Sequence, residues 1–275
     1  MRSVRLSGGL GNQLFQYAYA RAINAKINKS KYSWLNAAYL RGNPINRYGL
    51  DKYNIKLKIE SIFSRICRNI LRIPVINENG NSYGKFNPQL LKLPKSAYIK
   101  GLFQTEKYFK NIRHELLSDL TIKASLNVAN QDMLDKILSE KNATSLHIRR
   151  GDYLWFPEKH NILPLDYYKK AVKYIANKVS SPHFFIFSDD VNWVLANLKL
   201  NHPYTVVNIN NKTTDGYLDL NLMRFCQHNI IANSTFSWWG AWMNDNKDKI
   251  VIAPSVWVSS KADVSDIVPD EWVRL

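Results

Sequence analysis

Hydrophobic and polar positions alternate clearly in the second half of the chain and only loosely in the first. Residues 144 to 148 alternate as a strand does, with Leu146 and Ile148 on one side and Ser145 and His147 on the other. Downstream, Leu165, Tyr168, Val172, Ile175 and Val179 fall at helical spacing. HFFIFSDD (183–190) reads as a buried strand ending in two acids, and VNWVLANL (191–198) as a short helix. The strand YTVVNI, a helix from about Thr214 to His228, the strand NIIANS, a helix from Thr235 to Met243 and the strand KIVIAP follow. Strands alternating with helices predict parallel βαβ units covered on both faces.

In the first half, VRL (4–6) reads as a short strand entering SGGLGNQ, after which LFQYAYARAINAK keeps a helical pattern. Residues 31–60, rich in Tyr, Asn and Lys, show little periodicity. Between 61 and 73, Ile62, Ile66, Ile70 and Ile73 share one helical face, and Arg65, Arg68 and Arg72 gather on another. The plainer expectation is a core-facing helix with a solvated cationic side; the alternative is a helix lying on an anionic bilayer. Residues 77–87 read as a loop, 97–104 as a strand leading to a turn, 105–120 as a helix and 127–141 as another. The predicted class is α/β, with an N-terminal α/β domain over 1–140 and a Rossmann-like domain over 141–275.

Length and composition narrow the function classes. With 275 residues and 45% hydrophobic content, the chain can bury a substantial core and favours two domains. Its longest hydrophobic runs are four residues, far short of the ~20 that a membrane-spanning helix needs. MRSVRLSGGL has no apolar signal core either, so a cytoplasmic chain is expected. Two cysteines and no CxxC or HExxH pattern exclude a disulfide framework and argue against zinc. A net charge of +16 calls for an anionic partner. The lysines are dispersed rather than interleaved with aromatics along one groove, which argues against nucleic acid and leaves phosphorylated substrates or an anionic membrane surface.

Candidate chemistry begins at Arg149 and Arg150, where the 144–148 strand ends, with Gly151 permitting a turn and Asp152 on it. Ligands of open α/β sheets bind beyond the carboxyl ends of the strands, and a guanidinium fork matches phosphate oxygens. Simple solvated charge at a strand end is the competing reading. Asn233, Ser234 and Thr235 cluster directly after a strand, as capping residues of a helix whose first amides suit an anion; Trp238, Trp239 and Trp242 read as core. Asp219 offers a carboxylate that can accept two parallel hydrogen bonds from guanine, or else lies on a solvated helix face. Asp189 and Asp190 would bind ribose or cap the next helix. No DxD occurs, which weakens any scheme in which a divalent metal carries a diphosphate.

GGLGNQLFQYA (8–18), HIRRGDY (147–153) and NSTFSWWGAW (233–242) together resemble the three hallmark segments of the α-1,2-fucosyltransferases, an inverting family with many bacterial enzymes of surface-polysaccharide assembly. The resemblance implies a GT-B-like architecture, two Rossmann-like domains facing a central cleft, with GDP-fucose as co-substrate and neither cofactor nor metal. It implies that Arg149 holds the β-phosphate, with Arg150 secondary and His147 beside the nucleotide. Ser234, Thr235, Phe236 and Ser237 would grip the diphosphate, Asp219 the guanine, and Asn12 and Gln13 would lie near the fucose and acceptor. Asp152, Glu158 and His160 are rival candidates for a catalytic base, and a reaction without one is also open. The acceptor implied is a galactose-terminated oligosaccharide or lipid-linked glycan, and a peripheral position on the inner face of an anionic membrane accounts for the charge. Another linkage, or a non-catalytic sugar- or nucleotide-binding protein, stays open.

Overall fold

The computed structural model describes residues 2–25, 33–40, 47–155 and 161–275. The chain divides into two compact units, Met1–Lys123 with Ala262–Pro269, and Ala124–Lys261 with Asp270–Leu275.

In the first unit, β1 (Arg2–Arg5), α1 (Leu10–Ala25), β2 (Ser33–Asn36), β3 (Lys58–Ile59), α2 (Ile62–Ile70), β4 (Val75–Asn77), β5 (Ala97–Lys100) and α3 (Arg113–Asp119) follow in order. The strands form a parallel sheet, β3-β2-β1-β5-β4. Of these strands, β2, β3 and β4 are too short or too polar for their sequences to announce. The α1 helix is buried nearly all round and is therefore a core helix, with Leu14, Phe15, Ala18 and Tyr19 wholly buried. Two of its polar groups meet one carboxylate: Asp119 accepts from the Tyr17 hydroxyl and from Arg21 Nε, each at 2.6 Å. Residues 105–120, expected as one helix, instead make two 3-10 turns before α3. Phe109 takes φ −140° between those turns and packs its ring 6.0 Å from that of Phe15.

Of the 61–73 segment, Ile62–Ile70 is helical and the helix stops before Arg72, which takes φ 46°; the plainer expectation for its orientation is overturned. Phe63 and Ile70 remain 74% and 72% exposed, and Ile62 and Ile66 also face outward. The inward contacts are polar: Ser64 is buried, and Arg68 lies 3.9 Å over the Tyr98 ring and pairs with Glu60 at 3.1 Å.

The second unit runs α4 (Val128–Ser139), β6 (Ala143–Ile148), α5 (Leu165–Lys178), β7 (His183–Ser188), α6 (Val191–Asn197), β8 (Tyr204–Val206), α7 (Gly216–Arg224), β9 (His228–Ile230), α8 (Thr235–Met243), β10 (Val251–Ala253) and β11 (Val273–Arg274). Its parallel sheet has the order β11-β10-β9-β6-β7-β8. Both faces are covered, as an all-parallel sheet requires. Leu146, Ile148, Phe184 and Ile186 meet α5 on one face, and Phe185 and Phe187 meet Leu222, Met223 and Ile137 on the other. The chain winds outward from β6 through β8, then restarts at β9 on the other side of β6. That is the doubly-wound order, with its switch point between β6 and β9.

The boundary near 140 is thus corrected to Lys123. The α4 helix belongs with the second unit because Ile137 enters its core and the Asn130 and Asn210 side-chain amides bond reciprocally at 2.9 Å. Residues 262–269 rejoin the first unit through Asp263 to Lys85 (2.7 Å) and Asp266 to Lys107 (2.6 Å). Periodicity cannot reveal either partner.

Removing one partner of a buried ion pair leaves the other charge uncompensated. Asp119→Ala should therefore cost about 3 kcal/mol, read from urea unfolding.

Candidate active site

At the switch point of the second unit, β6 ends at Ile148 and the chain turns through Arg149 and Arg150. Asp189, following β7, holds this turn. Its Oδ1 accepts the Arg150 amide at 2.9 Å, and its Oδ2 lies 3.0 Å from Arg149 Nη1. A side chain at Gly151 could not pass, since a Cβ there would sit 3.0 Å from the Asp189 Cγ. Arg149 Nη2 also donates to Asp152 Oδ1 at 2.6 Å, and its guanidinium lies 5.5 Å from the Tyr153 ring centre. Arg150 pairs with Asp190 at 3.1 Å and stacks on Trp193 at 3.9 Å, while the same Asp190 caps α6 by accepting the Trp193 amide. Both acids of SDD therefore serve the arginine turn. Three carboxylates surround two guanidiniums, so the turn is charge-compensated rather than a bare cationic hole. Asp152, paired to Arg149, has the geometry of an orienting residue; Glu158 and His160 lie outside the described residues.

The start of α8 lies beside this turn, because Leu146 of β6 and Ile230 of β9 are register partners. The Tyr153 hydroxyl donates to Asn233 O at 2.9 Å, tying the two segments together. Ser234 caps α8, its Oγ accepting the Phe236 amide at 3.3 Å. Thr235 and Phe236 are half-buried, and the Phe236 ring is 5.5 Å from that of His147. His147 is buried, and desolvation together with the nearby Arg149 lowers its pKa to about 3, so its imidazole is neutral at ordinary pH. Its Nδ1 has no hydrogen-bond partner among the described residues. On the other side of Phe236 lies Gly216, whose built Cβ would be 3.2 Å from the ring. One turn further along α7, Asp219 accepts from Asn210 at 2.7 Å; burial raises its pKa to about 6 against the opposing effect of that bond. The sheet edge thus gathers His147, Arg149, Arg150, Asp152, Ser234, Thr235 and Phe236, with Asp219 one turn along α7 from the Gly216–Phe236 contact. Ser237 is a correction. Its buried hydroxyl faces Ser234 O and Ala232 O at 3.4 and 3.5 Å, directed into the helix start rather than toward a ligand.

In the first unit the glycine loop leaves β1, and α1 already begins at Leu10. Gly8 takes φ +74°, a conformation open to glycine, with the Asn12 side chain packed where a Cβ would be. Asn12 Oδ1 accepts from Gln104 Nε2 at 2.7 Å, leaving Nδ2 as the group that Asn12 can offer. Gln13 is the second correction. It is wholly buried, donates to Gly8 O and Arg47 O, and accepts from Gly49 N, so it clamps the loop instead of meeting a donor. Gln16 does similar work between Ser7 and Gly101. Glu78, unremarked in the sequence because 77–87 reads as loop, follows β4. Its Oε2 accepts the Leu102 and Phe103 amides at 2.7 and 3.0 Å, holding Phe103 at φ 54°. Gln104, which touches Asn12, is the next residue. Burial raises the Glu78 pKa to about 7, although the two amides pull it down.

The family model for glycosyl transferase family 11 matches residues 1–275. The chain belongs to that family. This family-11 chain is 35% identical to the O-antigen biosynthesis glycosyltransferase WbnK of Escherichia coli, over 98% of its own length and 99% of the relative's. It is 31% identical to an α-1,2-colitosyltransferase of the same organism, over 98% and 97%. Its fold resembles that of the fucosyltransferase NodZ from Bradyrhizobium, with a TM-score of 0.58 at 13% identity, covering 87% of this chain and 92% of the other. The GT-B-like α/β class predicted for the family-11 chain is the class of these neighbours.

A carboxylate whose folded pKa exceeds its unfolded value stabilises while protonated and loses that contribution as pH rises through the folded pKa. For Glu78 the window runs from 4.5 to about 7. Relative to wild type, Glu78→Gln should therefore gain stability between pH 5 and pH 8, by roughly 3 kcal/mol at about 1.4 kcal/mol per tenfold change in proton affinity. Urea unfolding at both pH values tests this, and a pH-independent difference would remove Glu78 as a buried ionisable clamp.

Proposed function

We propose that this family-11 glycosyltransferase moves L-fucose from GDP-β-L-fucose to the 2-hydroxyl of a terminal galactose, inverting the anomeric carbon in one displacement without a metal. The observation that carries the reading is the switch point of the second unit, where Arg149 and the capped start of α8 follow the adjacent strands β6 and β9. Negative charge grows on the departing diphosphate in the transition state, so donors already aimed at it contribute most to the rate. Arg149 is the principal donor in this scheme. An incoming diphosphate competes with Asp152 for the guanidinium, while Asp189 keeps it oriented. The first amides of α8 and the Thr235 hydroxyl add neutral donors. Phe236 and the neutral His147 give the nucleotide an uncharged wall, and ionised Asp219 accepts from guanine N1 and N2. On the glycine loop of the first unit, Asn12, with its oxygen engaged by Gln104, keeps an N–H with which to bond a sugar.

Support from relatives is of two kinds. NodZ, whose fold is similar, is described as an α-1,6-fucosyltransferase soaked with GDP-fucose. The relative named as an α-1,2-colitosyltransferase favours a second reading for the donor, since colitose is fucose without its 3-hydroxyl. WbnK, named for O-antigen biosynthesis, supports a glycan acceptor carried on a lipid. Among the described residues no helix is long and apolar enough to cross a membrane, and we place the enzyme peripherally on an anionic inner leaflet.

Incubation with GDP-fucose or GDP-colitose and a panel of β-galactosides, with the product linkage assigned by NMR, tests donor and linkage together. Arg149→Ala should lower kcat ~10²-fold or more at saturating donor, the effect of losing one preorganised donor to a developing anion. EDTA should leave turnover unchanged, whereas a strict requirement for Mg²⁺ or Mn²⁺ would defeat the metal-free scheme.

A further inference from the structure

The outward face of α2 and the recess behind it form one amphiphilic surface. Ile62, Phe63, Ile66 and Ile70 face outward from α2, and Leu71 and Val75 continue the apolar strip. An exposed strip of this size is unusual on a monomeric surface unless something covers it. Between α2 and the carboxyl ends of β1, β2 and β5 lies a recess of about 510 Å³, into which Arg5, Arg65, Arg68 and Lys100 project beside Tyr39 and Tyr98. Arg68 is neutralised by Glu60. Among the described residues no carboxylate pairs with Arg5, Arg65 or Lys100, and the buried Arg5 Nε has no hydrogen-bond partner. Ile62 and Ile66 belong both to the exposed strip and to the wall of the recess. An anion entering the recess therefore lies directly against an apolar surface.

We infer that this face docks on an anionic lipid bilayer, with Phe63, Ile66 and Ile70 seated in the acyl boundary and a lipid head-group phosphate drawn into the Arg5–Arg65–Lys100 recess. The inference rests on the membrane-proximal location proposed above and names the surface responsible. Charge complementarity selects the occupant. A second copy of the chain would bring the same cations and a net charge of +16 against their like, whereas an anionic leaflet supplies both the counter-charge and the apolar layer.

Flotation of the full-length protein on vesicles tests it, comparing phosphatidylcholine with and without phosphatidylglycerol. Wild type should float with the mixed vesicles, and less so as salt is raised. The Phe63→Glu/Ile70→Glu double variant alters only exposed side chains; it should lose vesicle binding at least ~10-fold while keeping its melting temperature and its turnover of a soluble galactoside. Arg65→Ala/Lys100→Ala should lose the preference for phosphatidylglycerol. Wild type that ignores anionic vesicles, or a Phe63→Glu/Ile70→Glu variant that floats as wild type does, overturns the inference. Flotation that depends on these residues in a protein that transfers no fucose would sustain the docking surface and remove the fucosyl reading alone.

Discussion

Asp189 reaches from the end of β7 to the turn that follows β6, and takes the Arg150 amide on one oxygen and the Arg149 guanidinium on the other. At the carboxyl edge of a parallel sheet the hydrogen-bond ladder has ended, so the ladder does not orient the first residues beyond it. This carboxylate supplies the missing constraint from 39 positions away. Gly151 admits the approach, and Asp190 fastens the neighbouring Arg150 while starting α6. With the turn fixed, Tyr153 is placed to reach Asn233, and the arginine strand and the start of α8 are held to each other.

The glycine loop of the first unit is built on the same logic with uncharged groups. Gln13 and Gln16 are spent on backbone groups of the loop and its surroundings, and Gln104 orients Asn12. Glu78 in turn bonds to Phe103 and Leu102, immediately before Gln104. Side chains that looked like a row of ligand contacts therefore divide by burial. Those wholly buried hold backbone, and the half-exposed Asn12 retains a group to offer.

What the sequence made legible follows from the range of each interaction. The 144–148 strand, the 165–179 helix and the start of α8 depend on local alternation and capping, and their residues announce them. The strands β2, β3 and β4 are two to four residues long, and their burial depends on neighbours distant in the chain, so their composition carried no period. The same limit hid the return of 262–269 to the first unit and the pairing of α4 with α7. At the candidate site, residue types alone pointed to the arginines, to Asp219 and to the hydroxyls at the start of α8. Spacing could not distinguish Gln13 from Asn12, because the difference is whether the amide's partners are backbone groups such as Arg47 O. Glu78 carried no signal at all: a single acid in an Asn-rich stretch looks solvated until the amides of Leu102 and Phe103 are seen to point at it.

The fold narrows where the surplus of positive charge can act. A surplus of +16 calls for an anionic partner, a phosphorylated substrate or a membrane surface, and at the candidate site Arg149 and Arg150 stand among Asp152, Asp189 and Asp190. A site so compensated keeps its guanidiniums oriented and limits indiscriminate attraction of anions, since a ligand must offer better geometry than the carboxylate it displaces. The surplus must then reside elsewhere, and in the recess beneath α2 Arg5, Arg65 and Lys100 have no carboxylate against them among the described residues, while Arg68 pairs with Glu60. Its neighbour is the strip of side chains that a soluble surface has least reason to display. A helix whose arginines turn inward and whose isoleucines turn outward is poorly suited to water on either count. At the boundary between anionic head groups and acyl chains, both features are favourable.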